Sequence, residues 1–406
     1  MNTTTLSGGV CAPLGFRAGG VHCGLAKKAG KKDLALIVSE APCTAAATYT
    51  KNKVKAAPLL VTKSHLQNGS ARAILCNSGN ANACNADGLA VAKEMCAATA
   101  EALGLSPEDV LVASTGVIGQ PLPVEKVRSS LPRLAESLSG DGSPDAAHAI
   151  MTTDLMVKET AVSFPLDGKP CTIGGIAKGS GMIHPNMATM LGFLTTDAAI
   201  TAPMLAKALS AVTNDTFNMV SVDGDTSTND MAVILANGLA GNAVIDSEGP
   251  AFEAFAAALK QVCVYLARTM AKDGEGASKL LECTVCGAPD DATAKILAKS
   301  VVCSSLVKAA MFGADANWGR VLCALGYADA AFDITRVELS FASAAGTVLV
   351  CKDGAGVPFS EEAAKKVLLE NEIGIKIGLH QGDGSATAWG CDLTYDYVKI
   401  NGDYRS

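Results

Sequence analysis

The chain has 406 residues, 49% of them hydrophobic and only 4% aromatic, with 33 Lys and Arg against 40 Asp and Glu. That length accommodates two or three domains or one large α/β unit, and its core must be packed from small aliphatic side chains. A net charge of −7 without a basic stripe excludes the electrostatic footprint of a nucleic-acid-binding protein, and no run of about 18 apolar residues offers a membrane-spanning helix.

The first residues, MNTTTLSGGVCAPLGFRAGG, lack the basic start and apolar stretch of a signal peptide. The 14 cysteines are scattered, and several lie in apolar runs, such as Cys76 in AILCNS and Cys303 in SVVCSS. There a thiol behaves as a small hydrophobe, so a cytoplasmic protein with reduced thiols is expected. KKAGKK at 27–32 reads as a solvated turn.

In chain order, DLALIVSE (33–40), ARAILCNS (71–78) and DVLVASTG (109–116) read as buried strands ending in polar or glycine loops. ADGLAVAKEMCAATAEALG (86–104) predicts an amphipathic helix with Gly at its end. PVEKVRSSLPRLAESLS (123–139) predicts another, with Pro in its first turn and an interior Pro132 that should kink or break it. Further on, 204–217 and 250–274 read as helices, 280–288 as a strand and 336–354 as a hairpin around a Gly. PFSEEAAKKVLLENE (358–372) predicts a helix capped by Ser360. The last segment, SATAWGCDLTYDYVKINGDYRS, alternates like an edge or hairpin strand before a polar tail. This mixture predicts an α/β protein of layered mixed sheets with helices. No GxGxxG follows a strand, which argues against a dinucleotide-binding array.

Several motifs invite chemistry and lose it on spacing. CTVC (283–286) has no second cysteine pair to complete a zinc site, and on a strand its two cysteines face opposite sides. GGIAKGSG (174–181) has Lys-Gly-Ser where a phosphate loop needs Gly-Lys-Ser/Thr before a helix. VDGDTSTND (222–230) resembles a calcium loop, but the twelfth position from Asp223 falls outside the acidic residues, so Asx and Ser/Thr turns saturating a tight loop fit better. No GxSxG elbow accompanies the five histidines.

Two stretches remain. ASTGVIG (113–119) ends a strand in Thr115-Gly116, where an N–H and a hydroxyl can converge as an oxyanion hole, although strand ends of this kind are common and usually plain turns. GSGMIHPNMATMLGFLTTD (179–197) passes through Gly, Pro and Asn into Ala188-Thr189 and an apolar run. A Thr hydroxyl in such a bend can attack the preceding carbonyl, and the freed α-amine can then serve as base for that hydroxyl. On residue chemistry alone, a Thr after a turn is usually an N-cap or a strand residue.

In combination these stretches are more specific. AKGSGMIHPNMATMLGFLTTDA (177–198) resembles the self-cleavage segment of the ornithine acetyltransferase family, also called bifunctional glutamate N-acetyltransferase. KNKVKAAPL (51–59), NSGNANACNADG (77–88), ASTGVIG, MTTD (151–154), VDGDTSTND, DGEGASK (273–279), LVKAAMFGADANWGRV (306–321) and NGDYRS (401–406) look like its other signatures, in family order across nearly the whole chain.

The resemblance implies an N-terminal-nucleophile, self-cleaving α/β fold. It implies a cut between Ala188 and Thr189 into an α chain of 1–188 and a β chain of 189–406, intertwined in one fold and assembled as α2β2. Thr189 would be acetylated by N2-acetylornithine and would pass the acetyl group to glutamate, a ping-pong reaction of arginine biosynthesis. Thr115 and Gly116 match the oxyanion pair, and Thr153, Lys178, Thr189, Glu275, Asn401 and Ser406 match substrate-binding positions. No metal or cofactor is implied. Acetyl-CoA is a co-substrate in bifunctional members, and the sequence does not assign that second activity. The alternative is an aminopeptidase or amidase of the related self-cleaving type, with water as acceptor.

Overall fold

The computed structural model describes residues 3–26, 28, 30–184 and 190–403. Ala188, Thr189 and Ser406 lie outside them. Up to residue 184 the strands are β1 (Thr4–Leu6), β2 (Phe16–Val21), β3 (Leu34–Tyr49), β4 (Ser70–Asn77), β5 (Val110–Ser114), β6 (Lys158–Leu166) and β7 (Lys169–Lys178). The helices of this part are α1 (Ala57–His65), α2 (Gly88–Leu103), α3 (Val124–Glu136) and α4 (Ser143–Ile150). From residue 190 follow β8 (Leu191–Thr196), α5 (Ala202–Asp215), β9 (Val220–Ser221), β10 (Met231–Ala236), α6 (Pro250–Lys272) and β11 (Leu280–Ala288). Then come α7 (Asp291–Cys303), α8 (Ser305–Phe312), α9 (Trp318–Gly326), β12 (Glu338–Ser343), β13 (Gly346–Lys352), β14 (Ala355–Gly356), α10 (Glu361–Leu368), β15 (Glu372–Gly378), β16 (Gly384–Cys391) and α11 (Tyr395–Asp403).

Two mixed sheets result, as the alternation of strand and helix patterns predicts. The first has the order β1-β6-β7-β8-β10-β3-β4-β5 with β2 beside β3; the second has β14-β13-β12-β15-β11-β16-β9. In the first sheet β8 and β10 lie between β7 and β3, so strands from before residue 184 and after residue 190 interleave. β8 runs antiparallel to β7, with Leu191 opposite Lys178, and parallel to β10, with Leu191 opposite Met231. Helix α6 joins the layers: it packs on β6 and β7 of one sheet and on β11 and β16 of the other. Leu259, Val262, Leu266 and Met270 on it are buried, each contributing about 1.5–3 kcal/mol of transfer free energy.

The structure departs from the sequence reading at identifiable places. β3 runs on to Tyr49, with an irregularity in its pairing to β4 between Val38 and Cys43, where Pro42 cannot donate to the ladder. Pro132 does not break α3, which continues to Glu136; only one turn follows it, so one lost hydrogen bond near the end is tolerated. α10 ends at Leu368, and the residues from Glu372 form β15 instead. The last segment is not strand throughout. After Cys391 the Asp392 carboxylate accepts the N–H groups of Ser278 and Lys279, at 2.8 and 3.0 Å. The Thr394 hydroxyl oxygen then accepts the Tyr397 N–H and opens α11. KKAGKK is not wholly solvated: Lys31 is half-buried and donates to the Thr152 carbonyl at 3.1 Å, and Lys32 pairs with Asp145. In CTVC, Cys283 is buried and Cys286 exposed, so the two face opposite sides.

Candidate active site

Residues that follow β5, end β7, start β8 and precede β10 line one cavity. It has a volume of about 220 Å³ and is lined among others by Thr115, Gly116, Thr153, Lys178, Glu275 and Asn401. Drug-sized ligands fill clefts of about 300–1,000 Å³, so this one suits a smaller molecule. Six of the residues singled out in the sequence thus converge from separate segments. Thr189 and Ser406 are outside the described residues, but Met190, next in the chain, also lines the cavity.

β5 ends at Ser114, and the Thr115 N–H donates to the Asn77 carbonyl at 2.9 Å. Gly116 then has φ +128, and a Cβ on it would lie 2.5 Å from the Gly79 carbonyl carbon and 2.6 Å from the Asn80 nitrogen. Only glycine fits, which brings backbone to the cavity wall. Lys178, the buried last residue of β7, donates from Nζ to the Thr115 hydroxyl at 3.4 Å.

Thr153 is held by its neighbour. Asp154 is buried and accepts the Thr152 and Gly179 N–H groups at 3.0 and 2.7 Å and the Lys158 ammonium at 2.7 Å. Lys158, 1% exposed, also contacts Asp273 at 2.5 Å. Asp273 in turn accepts the Leu155 N–H. Burial pushes the Asp154 carboxyl up, but Lys178, Lys158 and its hydrogen bonds outweigh it and hold it well below the usual carboxylate range.

Glu275 owes its place to Gly181, whose Cβ would fall 2.3 Å from the Glu275 carboxyl carbon. The Glu275 N–H donates to the Ser180 carbonyl at 3.0 Å, and its Oε2 accepts from Asn401 Nδ2 at 2.8 Å, which brings α11 over the cavity. The segment before the expected cut is tied down in the same way. Ser180 Oγ donates to the Asp273 carbonyl, and the Met182 and Ile183 N–H groups donate to Asp223. Met182 has φ +55, a left-handed conformation of the kind that collects at functional sites.

Residues 222–230 contribute more than a saturated turn. Ser227, Thr228, Asn229 and Asp230 all line the cavity, which the sequence reading did not assign. Asn229 fastens the loop by donating to the Ala81 and Ser114 carbonyls at 2.6 and 2.8 Å. Asp230 is 3% exposed, and burial drives its carboxyl well above the ordinary value, against the pull of Ser227, Lys178, Thr50 and the Met190 N–H. The DTSTND run was the available signal, but its failed calcium spacing pointed away from a site. His184 points elsewhere, with Nδ1 3.1 Å from the Ser221 hydroxyl, and burial lowers its pKa to about 4. Among the described residues no cluster of His, Cys, Asp and Glu is arranged to hold a metal, and no helix is long and apolar enough to cross a membrane.

A strand-end Thr-Gly pair, a buried lysine and a carboxylate around a small cavity are the equipment of acyl transfer on a charged small molecule. The ArgJ family model matches residues 17–406. The chain is 53% identical over 403 residues to the arginine biosynthesis bifunctional protein ArgJ of Symbiobacterium thermophilum, covering 99% of both. It is 54% identical over 392 residues to ArgJ 1 of Clostridium acetobutylicum, covering 96% of both. The crystal structure of the bifunctional protein argJ from Bacillus halodurans matches with 47% identity and a TM-score of 0.50, over 52% of this chain and 98% of that one. The chain belongs to the ArgJ family and is an acyltransferase of arginine biosynthesis.

Proposed function

We propose that this protein transfers the acetyl group of N2-acetylornithine to glutamate through an ester on Thr189, releasing ornithine and forming N-acetylglutamate. The observation that carries this reading is the convergence of Thr115, Gly116, Lys178 and Glu275 on one cavity beside Met190, the residue that follows the nucleophile.

Lys178 offers a point charge to the substrate carboxylate and Glu275 one to an ammonium. The Gly116 N–H and the Thr115 hydroxyl face the oxyanion of the tetrahedral intermediate. The Thr189 amine takes the Oγ proton during attack and returns a proton to the departing ornithine nitrogen; glutamate reverses the sequence. Thr153, Asn401 and Ser406 complete the substrate contacts in this reading. Exchange between two amines has little net driving force, so the ester must be kept from water, and α11 held by Asn401 on Glu275 is placed to do so.

The nucleophile arises by self-cleavage between Ala188 and Thr189. The interleaving of β8 and β10 with β7 and β3 supports this, because a cut chain would stay together by its sheet. So does the half-length chain of the Bacillus halodurans relative. Assembly as two copies of each piece belongs to the same reading, and sedimentation measures it.

Acetyl-CoA is proposed as a second donor. A cleft of about 940 Å³ carrying Lys28, Lys31 and Lys126 meets the cavity at Gly116 and Thr152 and offers cations for its phosphates. Product analysis tests the main reaction. N-acetylglutamate should form from N2-acetylornithine only when glutamate is added; acetate release at the same rate without glutamate would make the protein an amidase. Acetyl-CoA with glutamate tests the second donor.

A further inference from the structure

Asp230 is a titratable wall residue of the cavity that the proposed transfer leaves unused. It stands directly before β10, and the parallel register of β8 and β10 sets it level with Met190, whose carbonyl accepts the Met231 N–H at 2.9 Å. The Met190 N–H acts on its carboxyl, as do the hydroxyls of Ser227 and Thr50 and the Lys178 ammonium from the end of β7. Titratable groups on neighbouring elements include Tyr49 on β3, opposite Met231, Asp223 and Asp225 earlier in the same loop, and Glu275 on the cavity wall. Yet Oδ2 has no hydrogen-bond partner among the described residues. A buried carboxylate with an unpaired oxygen is costly, and a protonated acid relieves that cost. Such an acid stands level with Met190, the residue that follows the proposed nucleophile in the chain.

We propose that Asp230 is the acid that protonates the amine released at residue 189 when the chain cuts itself, and that it then holds this amine as its ion-pair partner. This rests on the self-cleavage reading above. In the first step the residue 189 Oγ bonds to the carbonyl carbon of residue 188. As the C–N bond breaks, the amide nitrogen takes the Oγ proton and a second proton from Asp230, giving an ester, an ammonium and the Asp230 carboxylate beside it. Water cleaves the ester, restoring the hydroxyl and releasing the residue 188 carboxyl group. In the mature enzyme the proton can return to Asp230, which frees the amine to act as base. An exposed carboxyl would be too weak a base to reclaim a proton from an amine of pKa about 7.7–8.0; burial narrows that gap.

The test is the rate of self-cleavage of the full chain made by cell-free synthesis, read by intact mass from about pH 6 to about pH 9, on both sides of the ordinary α-amine pKa. Wild-type cleavage should slow as pH rises and the acid ionises. Asp230→Asn should cut about 100-fold more slowly and without that pH dependence. Asp230→Glu should cut faster than Asp230→Asn, with a displaced profile. An Asp230→Asn chain that cuts at the wild-type rate with the wild-type profile overturns the proposal. If that variant does not fold, Asp230→Glu decides: a displaced profile supports the acid, and an undisplaced one overturns it. A wild-type chain left uncut at 188–189 removes the cleavage reading and this inference with it, a result distinct from wild type and Asp230→Asn cutting alike.

Discussion

Two buried aspartates that both feel the charge of Lys178 are treated in opposite ways. Asp154 accepts hydrogen bonds from two backbone N–H groups and from Lys158, which also meets Asp273. Asp230 is as deeply buried, yet one of its oxygens lacks a partner among the described residues. The paired carboxylate is pulled down in pKa and the under-partnered one is pushed up. The first region is scaffold that fixes the 151–154 loop and the start of the 179–184 segment; the second is left with chemistry still to do.

The largest expected effect breaks the scaffold. Lys158→Met should cost about 3–5 kcal/mol, since it strands two carboxylates inside the protein, and urea unfolding would measure it. A loss below about 1 kcal/mol would mean the pair is not buried as described.

Acid and base titration should separate the two regions. The lowered Asp154 contributes stability that is present above its unfolded value of about 3.9 and is lost as pH falls through its folded one. The raised Asp230 works with the opposite sign: its contribution is present below about 3.9 and is lost as pH rises through its folded value. Thermal melts should therefore show Asp230→Asn declining less than wild type toward alkaline pH, with the acid limb unchanged. Each unit of difference between folded and unfolded pKa is worth about 1.4 kcal/mol.

Glu275→Gln keeps the shape and the Asn401 contact but removes the charge, and should raise the KM for N2-acetylornithine about tenfold, or about 1.4 kcal/mol, with a smaller change in kcat. Steady-state kinetics would show it. The smallest effect lies far from the cavity. Ser360→Ala removes the oxygen that accepts the Ala363 N–H at 3.2 Å, should cost about 1 kcal/mol, and should leave acetyl transfer unchanged.

Much of the layout was legible because it is local. β4 and β5 announce themselves by apolar runs, the Ser360 cap by its type and position, and Thr115-Gly116 by standing at a strand end. α11 was missed because the alternation of SATAWGC continues to the eye through DLTYDY, while Thr394 caps a helix only once Asp392 has turned the chain. The scaffold was not legible because its partners are distant: Lys158 and Asp273 are 115 residues apart. Asp230 was hidden for the same reason, since only the pairing of β10 with β8 brings it level with Met190. The family resemblance supplied the roles proposed for Thr153, Glu275 and Asn401, which periodicity and spacing do not reveal.

Intact-protein mass spectrometry after incubation with N2-acetylornithine, in the absence of glutamate, tests the central claim most directly. Two fragments are expected, the second beginning at Thr189 and carrying one acetyl group that disappears when glutamate is added. Thr189→Ala should give a single unacetylated chain. A wild-type chain that stays whole, is cut elsewhere, or carries its acetyl group on the first fragment would contradict the account.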